Sequence, residues 1–458
     1  MRKPLAILAL ATLLFAGAGC GTPQLQPISL TYWRAEDSPD ALAEIITDYR
    51  KQTQLLHPNI TVTVTSFPSD TYLTKLTEAL AEDRGPDMFS IPNAVVRGWK
   101  DRLAPIPKET VILGQTVNDA KQIVLANIKT PGLTVRRLVT DYAEAVQDDV
   151  VMSVPGAKPT DPPQDQIFGL PYSLDTLGLF YNRELLKKAG IEKPPADWQD
   201  FQDQVQKLTV RGDSGITQSG AGLGLASNVP HATDILLTMM LQFGAPLDSK
   251  PFPNFSSVGP GGSRFAHLPA VEAVYFYQKF ARPGDDSFTW DAKLPSALDA
   301  FLTGKTAFYF GYPSELLTVR ERAPQLDVGV AAMPQDQLYN PASIANYPVE
   351  TVSKKSRHPN EAWDFIQFAA SKDEVSKFDR ATNRPTALRA LMNNQVSDPE
   401  VGPFVKQALT AKSWYFGKDY PKAFSAMTDL VEAKPDLLSN ITMDILVSNA
   451  EGKVRGTW

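Results

Sequence analysis

The chain has 458 residues, of which 43% are hydrophobic and 21% are charged, and its formal net charge is −6. This is the composition of a globular protein with enough apolar material for large cores, and the length corresponds to about two or three domains. Acidic and basic residues are interspersed and form no basic patch of the kind that binds nucleic acid, so we exclude that class of partner.

The first stretch of the chain, residues 1–19, has the pattern of a signal peptide. It begins with a basic pair, continues with an apolar run over 5–15 that is short for a membrane span, and ends in small residues. Cys20, the only cysteine of the sequence, follows at the place of the lipid-accepting residue in a bacterial lipobox. We therefore expect an exported lipoprotein at the outer face of the cytoplasmic membrane, with residues 20–27 as its tether. The alternative is a plain secretory signal. A lone cysteine excludes an intrachain disulfide and a cysteine-based zinc site.

The segments after the tether predict a parallel sheet covered by helices. ISLTYW (28–33) is rich in β-branched and aromatic residues, ITVTVTSF (60–67) alternates apolar residues with threonine, and PDMFSIP (86–92) is a third short strand. Amphipathic spacing predicts a helix after each of the first two strands. Strand–helix–strand–helix–strand is the pattern of a parallel sheet, and ligands of such sheets bind at the carboxyl ends of the strands.

Three residues follow these predicted strand ends and are candidates for ligand contact. Trp33 and Asp37 follow the first strand, and Asn93 follows the third. Two of them also have ordinary structural roles open to them, because Trp33 could pack in a core and Asp37 could cap the next helix.

The stretch GLPYSLDTLGLFYNREL (169–185) opens like a turn and then runs apolar like a buried strand, yet it carries Asp175. After it, helical patterns predominate, and Asp197 is the predicted N-cap of one of these helices. AFYF and LDVGVAAMP are further short strands among the helical segments.

Motifs for catalysis or cofactor binding are absent from the sequence. TGKT (303–306) lacks the glycine that a phosphate-binding loop needs five residues before its Gly-Lys, because Asp299 stands there. The four histidines have no metal-binding spacing, and no GxSxG nucleophile motif occurs. A glycosidase needs two carboxylates across a cleft, and the sequence names no partner for Asp175. We therefore expect no enzyme, no metal and no cofactor, with glycoside hydrolysis kept as a minor alternative.

Four blocks of the chain resemble the extracellular solute-binding proteins of bacterial ABC importers, of the maltose or multiple-sugar-binding type. They span nearly all of the chain after the signal peptide, in the order of that family. The blocks are ISLTYWRAEDSPDALAEIITDYRKQTQLLHPNITVTV, RGPDMFSIP, IFGLPYSLDTLGLFYNRELLKKAGIEKPPADW, and AFLTGKTAFYFGYPSEL with LDVGVAAMP, VSKKSRHPNEAWDFIQFAAS and NRPTALRAL.

The resemblance implies a two-lobed α/β periplasmic-binding-protein fold, in which crossover segments join the lobes and the ligand lies in the cleft between them. Each lobe would be a mainly parallel sheet flanked by helices. The implied division gives residues 28–174 and 350–396 to lobe 1, and residues 175–349 and 397–458 to lobe 2.

The resemblance also implies which residues contact the ligand. Asp175, at the first crossover, matches the acid of the cleft that hydrogen-bonds ligand hydroxyls. The further ligand-binding candidates are Tyr172 beside the crossover, Asp37, Trp33 and Asn93 in lobe 1, and His231, Tyr312, Trp414 and Tyr420 in lobe 2. The aromatic members of this set could equally be core residues.

The function implied is that of a receptor that binds a sugar or oligosaccharide and delivers it to ABC permease subunits by hinge closure. We expect a monomer that is held at the membrane by lipid on Cys20. The alternative within the same class is a non-sugar solute, such as a peptide, a polyamine or a glycerol phosphate.

Overall fold

The computed structural model describes residues 25–35, 39–56, 59–156, 158, 160–213, 215–259, 262–263, 265–336 and 341–458. The predicted signal peptide, the lipid site at Cys20 and the candidate Asp37 lie outside the described residues. Within these residues, no helix combines the length and the apolar character needed to cross a bilayer.

The strands are short, and most belong to two five-stranded sheets. In chain order they are β1 Ile28–Ala35, β2 Ile60–Phe67, β3 Met88–Pro92, β4 Leu103–Ala104, β5 Glu109–Val117, β6 Ile123–Pro131, β7 Val151–Val154, β8 Gln164–Ile167, β9 Gly178–Asn182, β10 Val210–Gly212, β11 Gly215–Ala221, β12 Thr306–Gly311, β13 Val328–Ala332, β14 Ser343–Ile344, β15 Pro348–Ser353 and β16 Ala411–Lys412.

In the described residues the helices flank these sheets, and more of them lie in the second half of the chain than in the first. They are α1 Ala43–Leu56, α2 Ser69–Ala81, α3 Asn93–Val96, α4 Val135–Asp141, α5 Glu144–Val150, α6 Arg183–Lys188, α7 Trp198–Leu208, α8 Ala232–Gln242, α9 Pro269–Lys279, α10 Ala297–Leu302, α11 Glu315–Arg322, α12 Pro359–Ala369, α13 Lys372–Thr382, α14 Arg389–Gln395, α15 Gly402–Ala408, α16 Tyr420–Val431 and α17 Met443–Arg455. The predicted N-cap Asp197 is confirmed, because its carboxylate accepts the Asp200 backbone N–H at 2.8 Å.

The buried apolar side chains form two cores. The first core draws on 30–174 and 345–411, and the second draws on 177–344 and 404–454, with Ala94 added. The chain therefore passes between the cores at 174–177, which we call the first connection, and again at 344–348, the second connection. It passes once more within 404–414. We call each core, with the sheet that it covers, a lobe.

Both sheets are mixed: the first is mainly parallel in strand direction, as expected, whereas the second has two reversed strands, β9 and β10. The first sheet has the order β2-β1-β3-β15-β4, in which β15 runs antiparallel to its neighbours while β1, β2 and β3 are parallel. The second sheet has the order β10-β11-β12-β9-β13, in which β9 runs antiparallel to β12 and β13. The reason lies in the connections. β9 follows the first connection and β15 follows the second. Each therefore begins beside the cleft, where the neighbouring strands β12 and β3 end, and runs in the opposite direction to them.

Candidate ligand-binding cleft

A cleft of about 840 Å³ lies between the two lobes. β1, β3 and β12 end beside it, whereas β15 begins there, so it occupies the carboxyl-terminal edge of the predicted parallel strands. Its lining comprises Ala35, Asp40, Ala41, Ser69, Tyr72, Leu73, Ser90, Ile91, Pro92, Asp175, His231, Tyr312, Ser314, Glu315, Leu317, Thr318, Glu321, Asn346, Tyr347, Pro348, Ala381, Thr382 and Arg384.

The two connections meet at the floor of the cleft. The backbone N–H of Asn346, on the second connection, donates to the carbonyl of Asp175, on the first connection, at 3.0 Å. The Asp175 carboxylate lies 3.5 Å from the Arg384 guanidinium, and both side chains are buried. This explains why an otherwise apolar segment carries a carboxylate. Asp175 faces the gap between the lobes and has a cation beside it.

The wall formed by the second lobe is centred on Tyr312, which directly follows β12. Its hydroxyl donates to the Asp234 carboxylate at 3.0 Å and accepts from the side-chain amide of Asn346 at 3.0 Å. The His231 ring meets the Tyr312 ring edge to face, with centroids 4.9 Å apart. Burial raises the pKa of Asp234, and nearby His231 and the hydrogen bonds from Tyr312 and Asn346 partly offset this rise. Tyr312 is therefore held from three sides in one orientation.

Glu315, in the first turn of α11, ties His231 to the sheet. One carboxylate oxygen contacts the His231 Nε2, and the other accepts from the Tyr309 hydroxyl at 2.7 Å. Gly311 makes room for this carboxylate, since a Cβ there would lie 2.5 Å from a Glu315 oxygen. His231 has a φ of 60°, which is uncommon for a residue other than glycine. The local strain places its ring on the wall of the cleft.

The wall formed by the first lobe presents Tyr72, Ser90 and Ile91, with a buried ion pair behind them. Arg34 lies 2.7 Å from Glu350, and both side chains are inaccessible to solvent. The Tyr72 hydroxyl lies 2.7 Å from the Ser90 carbonyl, so it donates to the backbone of β3 rather than into the cleft. On this wall the Tyr72 hydroxyl is therefore engaged within the first lobe.

A second buried cluster lies beneath the second connection. The Asp149 carboxylate accepts from Tyr347, from Ser413 at 2.7 Å and from Asn93 at 3.0 Å. Burial raises the pKa of Asp149 to about 6, and the three hydrogen bonds partly oppose this rise. The cluster joins the first lobe to the second connection and to the C-terminal segment.

The sequence-predicted site residues fall into two groups. Asp175, His231 and Tyr312 line the cleft and lie around the same space. Among the residues that the structure describes, the lining does not include Tyr172, Trp33, Asn93, Trp414 and Tyr420.

Each of these five residues has a place in the packing instead. Tyr172 lies in the first core below Arg34, and the Trp33 ring packs on Phe67 at 4.7 Å. Asn93 belongs to the Asp149 cluster, and Trp414 lies in the second core beside Tyr420, which packs against both cores.

Sequence reasoning missed Arg384, Asn346, Glu315 and Asp234. Arg384 and Asn346 stand in loops without a periodic pattern, and Asp234 and Glu315 look like ordinary acids in the first turn of a helix. The described residues contain no group of three or more His, Cys, Asp or Glu side chains that could hold a metal ion.

The family model for the bacterial extracellular solute-binding protein matches residues 35–375 of the chain. A protein of Brucella abortus (strain 2308), named as a binding protein, is 24% identical over 216 residues, which cover 46% of this chain and 48% of that relative. The chain thus spans about half the length of this relative. The multiple sugar-binding protein of Streptococcus mutans is 20% identical over 294 residues, 64% of this chain and 65% of its own.

Among solved structures, the cyclic alpha-maltosyl-1,6-maltose binding protein from Arthrobacter globiformis superposes with a TM-score of 0.67 and 19% identity. The alignment covers 94% of this chain and 99% of that protein. At this level of identity the likeness concerns the fold, and it confirms the predicted two-lobed α/β class.

Proposed function

Because the chain belongs to the bacterial extracellular solute-binding protein family, we propose that it is the exported receptor of an ABC importer. We propose further that it binds a sugar or oligosaccharide in the cleft between its lobes and catalyses no reaction. The observation that carries this proposal is the cleft itself, because both lobes and both connections contribute polar side chains to one cavity of about 840 Å³.

The chemistry of the lining suits a polyhydroxylated ligand. Binding pockets for small molecules have volumes of roughly 300–1,000 Å³, so the cleft has room for a saccharide of more than one ring. Carboxylates accept hydrogen bonds from hydroxyls, and Asp175, Glu315 and Glu321 supply them from the floor and from the second lobe. Tyr312 and His231 add ring surface for the apolar faces of a sugar.

Ligand binding closes the lobes about the two connections in this proposal. The hydrogen bond between Asn346 and Asp175 fixes the connections to each other, so the lobes can rotate about this point while the floor stays intact. Closure requires only that the ligand binds the closed form more tightly than the open form. The closed outline is what permease subunits would recognise.

Three further features belong to the same proposal. Lipid on Cys20 would anchor a monomeric receptor at the outer face of the membrane. Of the proposed lobe limits at 174/175, 349/350 and 396/397, the first agrees with the two cores, because Leu174 belongs to one and Leu177 to the other. At the other two limits the cores divide elsewhere, since Ala345 and Val401 still pack in the first core.

A thermal-shift screen of the mature chain tests the function. Neutral oligosaccharides, monosaccharides, peptides, polyamines and sn-glycerol 3-phosphate are added in turn, and we expect a saturable rise in melting temperature with a saccharide. Chromatography of each saccharide after incubation should show it unaltered. A response confined to a non-sugar solute, or cleavage of a saccharide, would overturn the proposal.

A further inference from the structure

The cations of the cleft are all engaged by carboxylates of the chain. Among the lining residues in the described part, only Arg384 and His231 can carry positive charge. Arg384 lies 3.5 Å from Asp175, and His231 contacts Glu315. Arg34, the next cation behind the first wall, is paired with Glu350 at 2.7 Å. An anionic ligand would therefore have to share a cation with a carboxylate of the chain.

Additional carboxylates line the same space. Asp40 and Glu321 both belong to the lining, and the lining thus holds four acidic side chains with Asp175 and Glu315. Glu321 is exposed on α11, so its charge faces solvent at the side of the cleft. With four acidic side chains against Arg384 and His231, the lining carries more negative than positive charge.

Acidic side chains also stand in the first turns of helices near the cleft. An uncapped helix N-terminus attracts anions through its unpaired N–H groups and the helix dipole. Here Asp234 stands in the first turn of α8 and Glu315 in the first turn of α11. Asp40 stands in the short 3₁₀ helix Pro39–Leu42. These carboxylates do not cap the helices, but they place negative charge beside α8 and α11, where it opposes an approaching phosphate.

From this geometry we infer that the cleft selects by charge: it accepts neutral or positively charged polyhydroxy solutes, such as neutral and amino sugars, and rejects phosphorylated and carboxylated ones. This inference rests on the proposed receptor function and narrows its ligand class. Charge-assisted hydrogen bonds from an ammonium or from hydroxyl groups to these carboxylates favour the accepted class. Repulsion between like charges in a partly enclosed cleft disfavours the rejected one.

Isothermal titration calorimetry with ligands that differ only in charge tests this charge selectivity. The probes are a neutral oligosaccharide that raises the melting temperature, its 2-amino-2-deoxy derivative and its 6-carboxylate and 6-phosphate derivatives, together with sn-glycerol 3-phosphate. We expect dissociation constants for the acidic derivatives at least about 100-fold weaker than for the neutral parent. An acidic derivative that binds as tightly as the neutral parent would overturn the selectivity.

Neutralising variants connect the effect to the cleft. Asp40→Asn combined with Glu321→Gln should reduce the discrimination against the acidic derivatives several-fold, while Glu192→Gln, an exposed carboxylate outside the lining, should leave it unchanged. Equal discrimination in all three proteins would contradict the assignment to these side chains.

The failure of the charge selectivity is distinguishable from failure of the receptor function. If saccharides of every charge leave the melting temperature unchanged and another solute raises it, the sugar assignment is wrong. The charge of that solute then tests the charge selectivity separately. An anionic solute overturns the selectivity, and a neutral or cationic solute supports it.

Discussion

Behind the first-lobe wall of the cleft, Arg34 and Glu350 form an ion pair whose side chains are 1% and 0% exposed, whereas the pair of His231 and Glu315 on the second-lobe wall is 24% and 20% exposed. Buried pairs hold a structure in place and are costly to break, while exposed pairs contribute little to stability. The comparison indicates that the Arg34–Glu350 pair supports the fold, and that the His231–Glu315 pair is accessible to a ligand.

Breaking one pair on each side gives the largest expected contrast. Arg34→Met leaves Glu350 buried beside Tyr32 and Ser90 without its cation, so we expect the free energy of unfolding to fall by about 3–5 kcal/mol. His231→Gln, the matched change on the other wall, should cost less than about 1 kcal/mol because water screens Glu315. Urea unfolding followed by tryptophan fluorescence measures both, and losses of equal size would contradict the comparison.

Asp149, in the buried cluster beneath the second connection, provides a third charged site to compare with the two walls. Burial raises its folded-state pKa to about 6, whereas the unfolded value lies near 4, so the folded state binds the proton more tightly. Protonation of Asp149 therefore raises the free energy of unfolding as the pH falls from 6 towards 4, by up to about 3 kcal/mol. This contribution is lost again as the pH rises through 6.

The test of this sign is a comparison of Asp149→Asn with the unchanged chain. The asparagine carries no charge but keeps an oxygen that can accept from Tyr347, Ser413 or Asn93. The difference in unfolding free energy between the two proteins should change between pH 4 and pH 7. A pH-independent difference would show that Asp149 keeps its ordinary pKa in the folded state.

A substitution at the floor of the cleft should weaken ligand affinity more than a substitution on either wall. Asp175→Asn removes a charge that can accept from ligand hydroxyls, and a hydrogen bond to a charged group contributes about 1.5–3 kcal/mol. We therefore expect a dissociation constant about 10- to 150-fold weaker for the saccharide that gives the largest melting shift. Circular dichroism of the variant checks that the fold persists, and unchanged affinity in a folded variant would remove Asp175 from the site.

The sequence allowed the local features to be predicted, and it allowed three residues of the cleft to be found. The parallel arrangement of β1, β2 and β3, the cap at Asp197 and the cleft position of Asp175 each depend on neighbours in sequence or on a matched block. The fold class followed from the resemblance of blocks that cover nearly the whole chain.

What could not be predicted depends on contacts between distant parts of the chain. Tyr32 and Glu350 are 318 positions apart, and nothing in either segment indicates the other. Tyr172 and Trp414 have aromatic rings of the kind that stack on sugars, but packing places these rings in the cores. Aromatic side chains are common in both settings, so the residue type alone does not distinguish them. The reversed direction of β15 follows from the second connection, which no local pattern marks.

The smallest expected contrast concerns a single hydroxyl on the second-lobe wall. Tyr312→Phe removes the donor to Asp234 and the acceptor for Asn346 but keeps the ring against His231. We expect a loss of about 1 kcal/mol in the free energy of unfolding, because the buried Asp234 loses one of its partners. Tyr275→Phe, on a half-buried ring of the same lobe, is the control and should change it by less than about 0.5 kcal/mol. If the two variants unfold at the same urea concentration, the hydroxyl of Tyr312 does not support the wall, and its role would then reduce to the surface of its ring.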